Sequence, residues 1–158
     1  MKINKSLLIA AAFTGLLCGI WAGFAGMAKL SVWAGFAGCT AYFATGKHGL
    51  AALKMTLATN VLGTLSAVGM IYGGNMLGSL PGSIATTIAV GFFVMLIVLC
   101  SAIPWVAFVP GIFVGCYTLF GMGGDGALAT TILSLMAGGV LGLACDMGGA
   151  QLVKKLVP

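Results

Sequence analysis

MTLATNVLGTLSAVGMIYGGNMLGSLPGSIATTIAVGFFVMLIVLCSAIPWVAFVPGIFVGCYTLFGMGG, residues 55–124, is a run of 70 residues without one Asp, Glu, Lys or Arg. No water-facing surface can be built from it. The rest of the 158-residue chain agrees: 61% of residues are hydrophobic and 6% charged, against about 45–50% and 25% in an average soluble domain. The composition describes a polytopic membrane protein, all-α, in one transmembrane domain covering residues 1–158.

Working outward from this run, charge, glycine and proline divide the chain into six apolar segments, at about 6–28, 31–45, 50–73, 83–103, 106–121 and 126–149. A hydrocarbon core of ~30 Å needs about 20 helical residues. The first, third, fourth and sixth segments meet that length. The second and fifth, of 15 and 16 residues, reach only about 22–24 Å at ~1.5 Å per residue, so they are expected to be short or broken. Lys2 and Lys5 before Leu7–Leu17 resemble a secretory signal, but Leu17-Cys18 offers no small residue for cleavage. The apolar character also continues to Met27, which reads as an uncleaved first span.

The two short segments resemble each other. Shifting the chain by 77 residues lays Ala34–Gly49 over Gly111–Gly126, with identities at Phe36/Phe113, Gly38/Gly115, Cys39/Cys116, Phe43/Phe120, Gly46/Gly123 and Gly49/Gly126. Ala58–Gly63 lies over Ala137–Gly142 with a shift of 79. A duplicated three-segment unit, about 6–73 and 83–149, accounts for both. The local pair of WAGFAG strings, Trp21–Gly26 and Trp33–Gly38, reflects composition instead.

Charge then orients the chain. If all six segments cross, Lys2, Lys5, Lys47, Lys54, Lys154 and Lys155 share one side, and Lys29 with Asp125 take the other. With four crossings the lysines split almost evenly. The positive-inside rule favours six spans with both termini cytoplasmic. Three spans per repeat make the halves inverted, and short glycine-interrupted segments at matching positions of inverted halves mark a substrate path. The expected path residues are Phe36, Gly38, Cys39, Thr40, Phe43, Asn60, Phe113, Gly115, Cys116, Tyr117 and Phe120, with Thr59 beside Asn60. The four phenylalanines would serve as paired constricting rings. Leucine at Gly38 or Gly115 is expected to abolish flux while leaving insertion intact.

The chemistry available is sparse. His48 and Asp125 read as solvated loop residues, Lys54 as a side chain that snorkels to the interface, and Asp146 as a residue near water at the end of the last span. Without paired carboxylates or a nucleophile–base pair, the chain is expected not to be an enzyme. No cofactor is implied. The scattered lysines form no basic stripe interleaved with aromatics, which argues against nucleic acid. Intramembrane acids for a coupling ion are also lacking. The expected activity is therefore that of a channel or facilitator for a small uncharged solute, of the urea, ammonia, amide or polyol class.

Two alternatives stand beside it. One is a non-transporting membrane subunit packed against a partner protein. The other is soft-metal, Cu(I)-like transport through Cys39 and Cys116 facing each other. The odd count of five cysteines, with no CxxC pair, makes a disulfide framework a poor explanation. Glycine pairs at Gly19/Gly23, Gly69/Gly73, Gly111/Gly115 and Gly138/Gly142 each offer a seat for a neighbouring helix, and a homo-oligomer is expected.

Ser31–Ala44 (SVWAGFAGCTAYFA) and Phe108–Gly115 (FVPGIFVG) carry a further likeness. With these strings the chain resembles the domain of unknown function 1097 family of small bacterial inner-membrane proteins, over nearly its whole length. The resemblance implies a bacterial cytoplasmic membrane location. It brings no activity and no site residues.

Overall fold

A computed structural model describes residues 4–157, and Lys2 lies outside them. Six α-helices follow one another: α1 Lys5–Phe24, α2 Val32–Ala44, α3 Gly49–Met76, α4 Gly82–Leu99, α5 Val109–Gly121 and α6 Leu128–Leu156. Short 3₁₀ turns follow α1 and α4 and precede α6. With these turns included, the segments containing α1, α3, α4 and α6 are long and apolar enough to cross a membrane; α2 and α5 are shorter apolar helices. Both are short, as the sequence predicts, but neither is broken. Each is a continuous 13-residue helix, about 20 Å long. Their glycines admit a neighbouring backbone and do not unwind the helix.

The centre of the bundle is α3 against α6. Gly49 meets Asp146, Thr56 lies beside Gly139, and Ile71 lies beside Gly124, so the two helices run antiparallel. Thr56 with Leu53 and Leu57 of α3 meets Gly139 of α6. The further buried face of α3, Thr59, Asn60, Gly63, Thr64 and Ala67, is small and polar at helical spacing and turns toward α5. The buried face of α6 is likewise small, with Ser134, Leu135, Gly138 and Gly142 turned toward α2 and Gly139 toward α3. Lipid is as apolar as leucine and gives no hydrophobic drive for helices to associate, so small residues that allow close van der Waals contact carry the packing.

The other helices pack around this pair. Helix α2 runs parallel to α6, from the bond between the Ser31 N–H and Ser134 Oγ (2.9 Å) to the bond between Tyr42 and Asp146. Helix α5 runs parallel to α3 in the same manner, from Gly111 beside Thr59 to Cys116 beside Gly63. Helices α1 and α4 sit outside, antiparallel to α6 and α3. Phe13 of α1 packs over Gly148, and Phe93 of α4 packs over Gly69 and Gly73. The α1 helix has no buried residue. The six helices thus alternate in direction. Lys5, Lys47, Lys54, Lys154 and Lys155 gather at one end of the bundle, and Lys29 and Asp125 at the other.

Between α1 and α2 the chain reverses through Lys29, which takes a left-handed conformation (φ 57°). The Trp21 indole N–H holds this corner by donating to the Val32 carbonyl at 2.9 Å.

Candidate functional site: a polar seam between two end cavities

Two interfaces at the heart of the bundle are built by reciprocal glycines. Where α2 meets α6, a Cβ at Gly38 would strike the Leu135 carbonyl, and one at Gly138 would strike the Gly35 carbonyl. Where α5 meets α3, a Cβ at Gly115 would strike the Asn60 carbonyl, and one at Gly63 the Ile112 carbonyl. Gly38 and Gly115, expected at a midplane constriction, are points of backbone contact between helices. A leucine at either would break the packing, so loss of flux in such a variant would say nothing about a path.

The remaining expected path residues divide between two environments. Cys39, Asn60, Thr59 and Cys116 are buried, while Thr40, Phe43, Phe113, Tyr117 and Phe120 are exposed on the outside of the bundle, and Phe36 is half-buried. The four phenylalanines do not assemble as facing rings. Phe43 and Phe120 instead line separate cavities at opposite ends.

Cys39 and Cys116 are not brought together either. Cys39 has Cys18 and Cys145 for neighbours, while the Cys116 thiol donates to the Gly63 carbonyl at 3.0 Å. The reason is helical phase. Helices α2 and α5 touch through Ala37, Ala41 and Val114, and each cysteine lies two residues, about 200°, round from that face. Among the described residues no group of three or more His, Cys, Asp or Glu side chains could hold a metal ion.

What the buried faces of α3 and α6 do hold, where α5 and α2 cover them, is a set of polar groups. Thr56, Thr59 and Thr64 return their hydroxyls to carbonyls four residues back, at 2.8–2.9 Å, as threonines commonly do inside membrane helices. Two groups have no such outlet. The Asn60 amide, 1% exposed, has a partner for neither Nδ2 nor Oδ1, and the Thr131 hydroxyl is also unpaired. In the antiparallel register Thr131 falls opposite Thr64, one turn from Asn60. Asn60 itself lies within a turn of the midpoint of α3. Asn60 and Thr59 were marked from sequence; Thr131 and Ser134 were not. The signal that could have found them is their shared helical face with Gly138, Gly142 and Cys145.

The two end cavities arise because α2 and α5 are short. Beyond the end of α2, α1 and α6 continue and flank an open cleft of about 600 Å³ lined by Ser6, Thr14, Phe43, Asp146 and Lys154. Beyond the end of α5, α3 and α4 flank an open cleft of about 580 Å³ lined by Asn75, Thr86, Ile71, Val90 and Phe120.

His48 is an exposed loop residue, as the sequence predicts, and its Nδ1 lies in hydrogen-bond contact with Asp146 Oδ1 at 3.0 Å. Asp146, read as a residue near water, is instead engaged by several protein groups. Oδ2 of Asp146 accepts from the Tyr42 hydroxyl at 2.7 Å and from the Gly49 N–H at 3.0 Å. Gly49 is the first residue of α3, and no side chain of its own segment caps that helix. Asp146 therefore supplies from α6 the anionic cap that the positive end of α3 needs. Sequence inspection missed this because 97 residues separate Asp146 from Gly49.

The family model for the protein of unknown function DUF1097 matches residues 11–150. The chain belongs to the DUF1097 family. Among its relatives is the inner membrane protein YcdZ of Escherichia coli strain K12, 36% identical over 149 residues, covering 94% of this chain and 89% of the relative. YcdZ of Salmonella typhimurium strain LT2 is 34% identical over 149 residues, with 94% and 91% covered. No solved structure matches the chain. This DUF1097 protein is thus a helical membrane protein whose curated relatives are named for the inner membrane.

Proposed function

We propose that the protein is a channel or facilitator for a small uncharged hydrogen-bonding solute, of the urea, ammonia, amide or polyol class, and not an enzyme. Its path joins the two end cavities past the buried polar groups of α3 and α6. The observation that carries this reading is the unpaired Asn60 amide at mid-depth. A buried amide without partners costs on the order of 1–3 kcal/mol, and groups of this kind in a membrane core mark function. In this conformation glycine contacts lock α2 to α6 and α5 to α3 over these polar groups, so conduction requires α2 and α5 to shift against α6 and α3.

Two inverted three-helix halves, all six helices crossing, are part of the same proposal. Its support is the correspondence of contacts: Gly38 on Leu135 answers Gly115 on Asn60, Gly138 on Gly35 answers Gly63 on Ile112, and Phe13 on Gly148 answers Phe93 on Gly73. Gly63 is here the counterpart of Gly138, a shift of 75 where sequence alignment offers 79. Four residues are one helical turn, which keeps the same face and so is hard to tell apart by composition. The lysine-rich end then lies in the cytoplasm with both termini.

Stopped-flow light scattering on proteoliposomes tests the reading with water, urea, ammonia, glycerol and acetamide. Solute-specific acceleration over empty vesicles, abolished by Asn60→Leu in a folded protein, is the expected outcome. Equal flux in wild type and variant would remove Asn60 from the path. Leakage at the empty-vesicle rate for every solute would remove the facilitator reading.

One observation favours a partner as well. Gly15, Gly19 and Gly23 of α1 have no atom within 4 Å of an added Cβ, so this small-residue face is unfilled within the chain. We assign it to a second copy in a homo-oligomer. Stoichiometric capture of another membrane protein would instead favour the non-transporting subunit.

A further inference from the structure

A groove of about 430 Å³ separates the start of α3 from the α4–α5 connection, lined by Lys47, Lys54, Met55, Ala58, Pro104 and Trp105. Lys47 precedes α3 and Lys54 lies on its second turn, so both ammonium groups add to the positive end of a helix, where cations are disfavoured. Among the described residues neither lysine has a carboxylate within ion-pair distance; the one ion-pair contact there joins His48 to Asp146. Lys54 is also deep. Its Cα is six residues from Asn60, about 9 Å along the axis, inside the ~15 Å half-thickness of a hydrocarbon core. Its chain must climb the groove toward Lys47 to reach polar surroundings. Met55, Ala58 and the indole of Trp105, 68% exposed, make the floor and wall apolar. An aromatic in this position belongs at the level of lipid headgroups.

We propose that this groove binds one anionic phospholipid, with the phosphate between the Lys47 and Lys54 ammonium groups and an acyl chain along Met55, Ala58 and Trp105. Asp146 caps the first N–H of α3, but two lysines in one groove with no carboxylate at ion-pair distance among the described residues still call for a phosphate anion. The apolar trough beneath them selects a lipid over free phosphate. The site depends on membrane embedding alone and stands whether or not the protein conducts a solute.

The test uses the full-length protein in bilayers of phosphatidylglycerol and phosphatidylcholine, with bromine on the acyl chains of one lipid at a time. The Trp105 contribution to fluorescence is the difference between wild type and Trp105→Phe. Brominated phosphatidylglycerol is expected to quench it beyond its mole fraction, and brominated phosphatidylcholine below its own. Two interfacial lysines imply a preference of roughly 20–30-fold. Lys47→Ala with Lys54→Ala, helical by circular dichroism, is expected to quench equally with both lipids. Equal quenching in wild type, or a preference kept by the double variant, would overturn the site. Displacement of the lipid by inorganic phosphate, but not by sulfate at equal ionic strength, would reassign it to free phosphate and overturn the lipid proposal.

Discussion

At the level of single residues, Asn60→Leu separates stability from activity. The leucine is close to isosteric and removes an amide that has no partner, so the variant is expected to unfold at an equal or higher temperature, by up to about 1–3 kcal/mol of relieved desolvation. Flux is expected to fall to the empty-vesicle rate. Thermal unfolding in detergent, paired with the vesicle assay, reads both. Gly115→Ala makes the opposite case. Its methyl would meet the Asn60 carbonyl, and overpacking of this kind costs about 1–3 kcal/mol or more. Gly91→Ala, with nothing within 4 Å, is expected to leave stability unchanged or raise it by roughly 0.5–1 kcal/mol. Similar melting of the two alanine variants would refute the reciprocal-glycine account.

Among elements, the attachment of α3 to the end of α2 rests on Asp146. Removing it leaves the Gly49 N–H without its acceptor and the Tyr42 hydroxyl with only the longer bond to the Gly49 carbonyl at 3.3 Å, and hydrogen bonds to a charged group contribute about 1.5–3 kcal/mol. Asp146→Ala is therefore expected to destabilise by about 2–4 kcal/mol and to raise labelling of a cysteine placed at Lys47. His48→Ala is expected to do little, because the imidazole is 85% exposed and an exposed pair contributes weakly. Unchanged labelling in Asp146→Ala would show that the turn is held by other contacts. Under the proposed two-half arrangement the counterparts of Asp146 and Tyr42 are Ile71 and Leu119, which are apolar, so the polar clasp belongs to one end alone. That asymmetry was hidden in the sequence. Asp146 and Tyr42 sit in otherwise apolar helices 104 residues apart, and no spacing rule joins them.

For the molecule as a whole, the expected topology is checked with cysteines introduced at Lys29 and Lys47 in a background lacking the native five. In intact cells Lys29→Cys is expected to react with an impermeant maleimide, and Lys47→Cys only after permeabilisation. The reverse pattern would invert the orientation, and labelling of both from outside would leave α2 re-entrant. Gly19→Leu on α1 is expected to shift the detergent-solubilised protein toward the monomer in analytical ultracentrifugation. No shift would free that face from the oligomer.

The sequence by itself determined the solvent, the helical class, the six segments and the shortness of two of them. Those properties depend on composition and on local hydrophobic run length, which any one stretch of chain displays. It also marked Asn60, because an amide is conspicuous among aliphatic neighbours. Only the tertiary structure decided that Gly38 and Gly115 are contacts, that Phe43 and Phe120 look into separate cavities, and that Cys39 and Cys116 point apart. Each of those outcomes is a matter of helical phase relative to a partner distant in the chain. In an all-apolar helix the hydrophobic pattern does not say which face is inward, because lipid and protein interior are equally apolar.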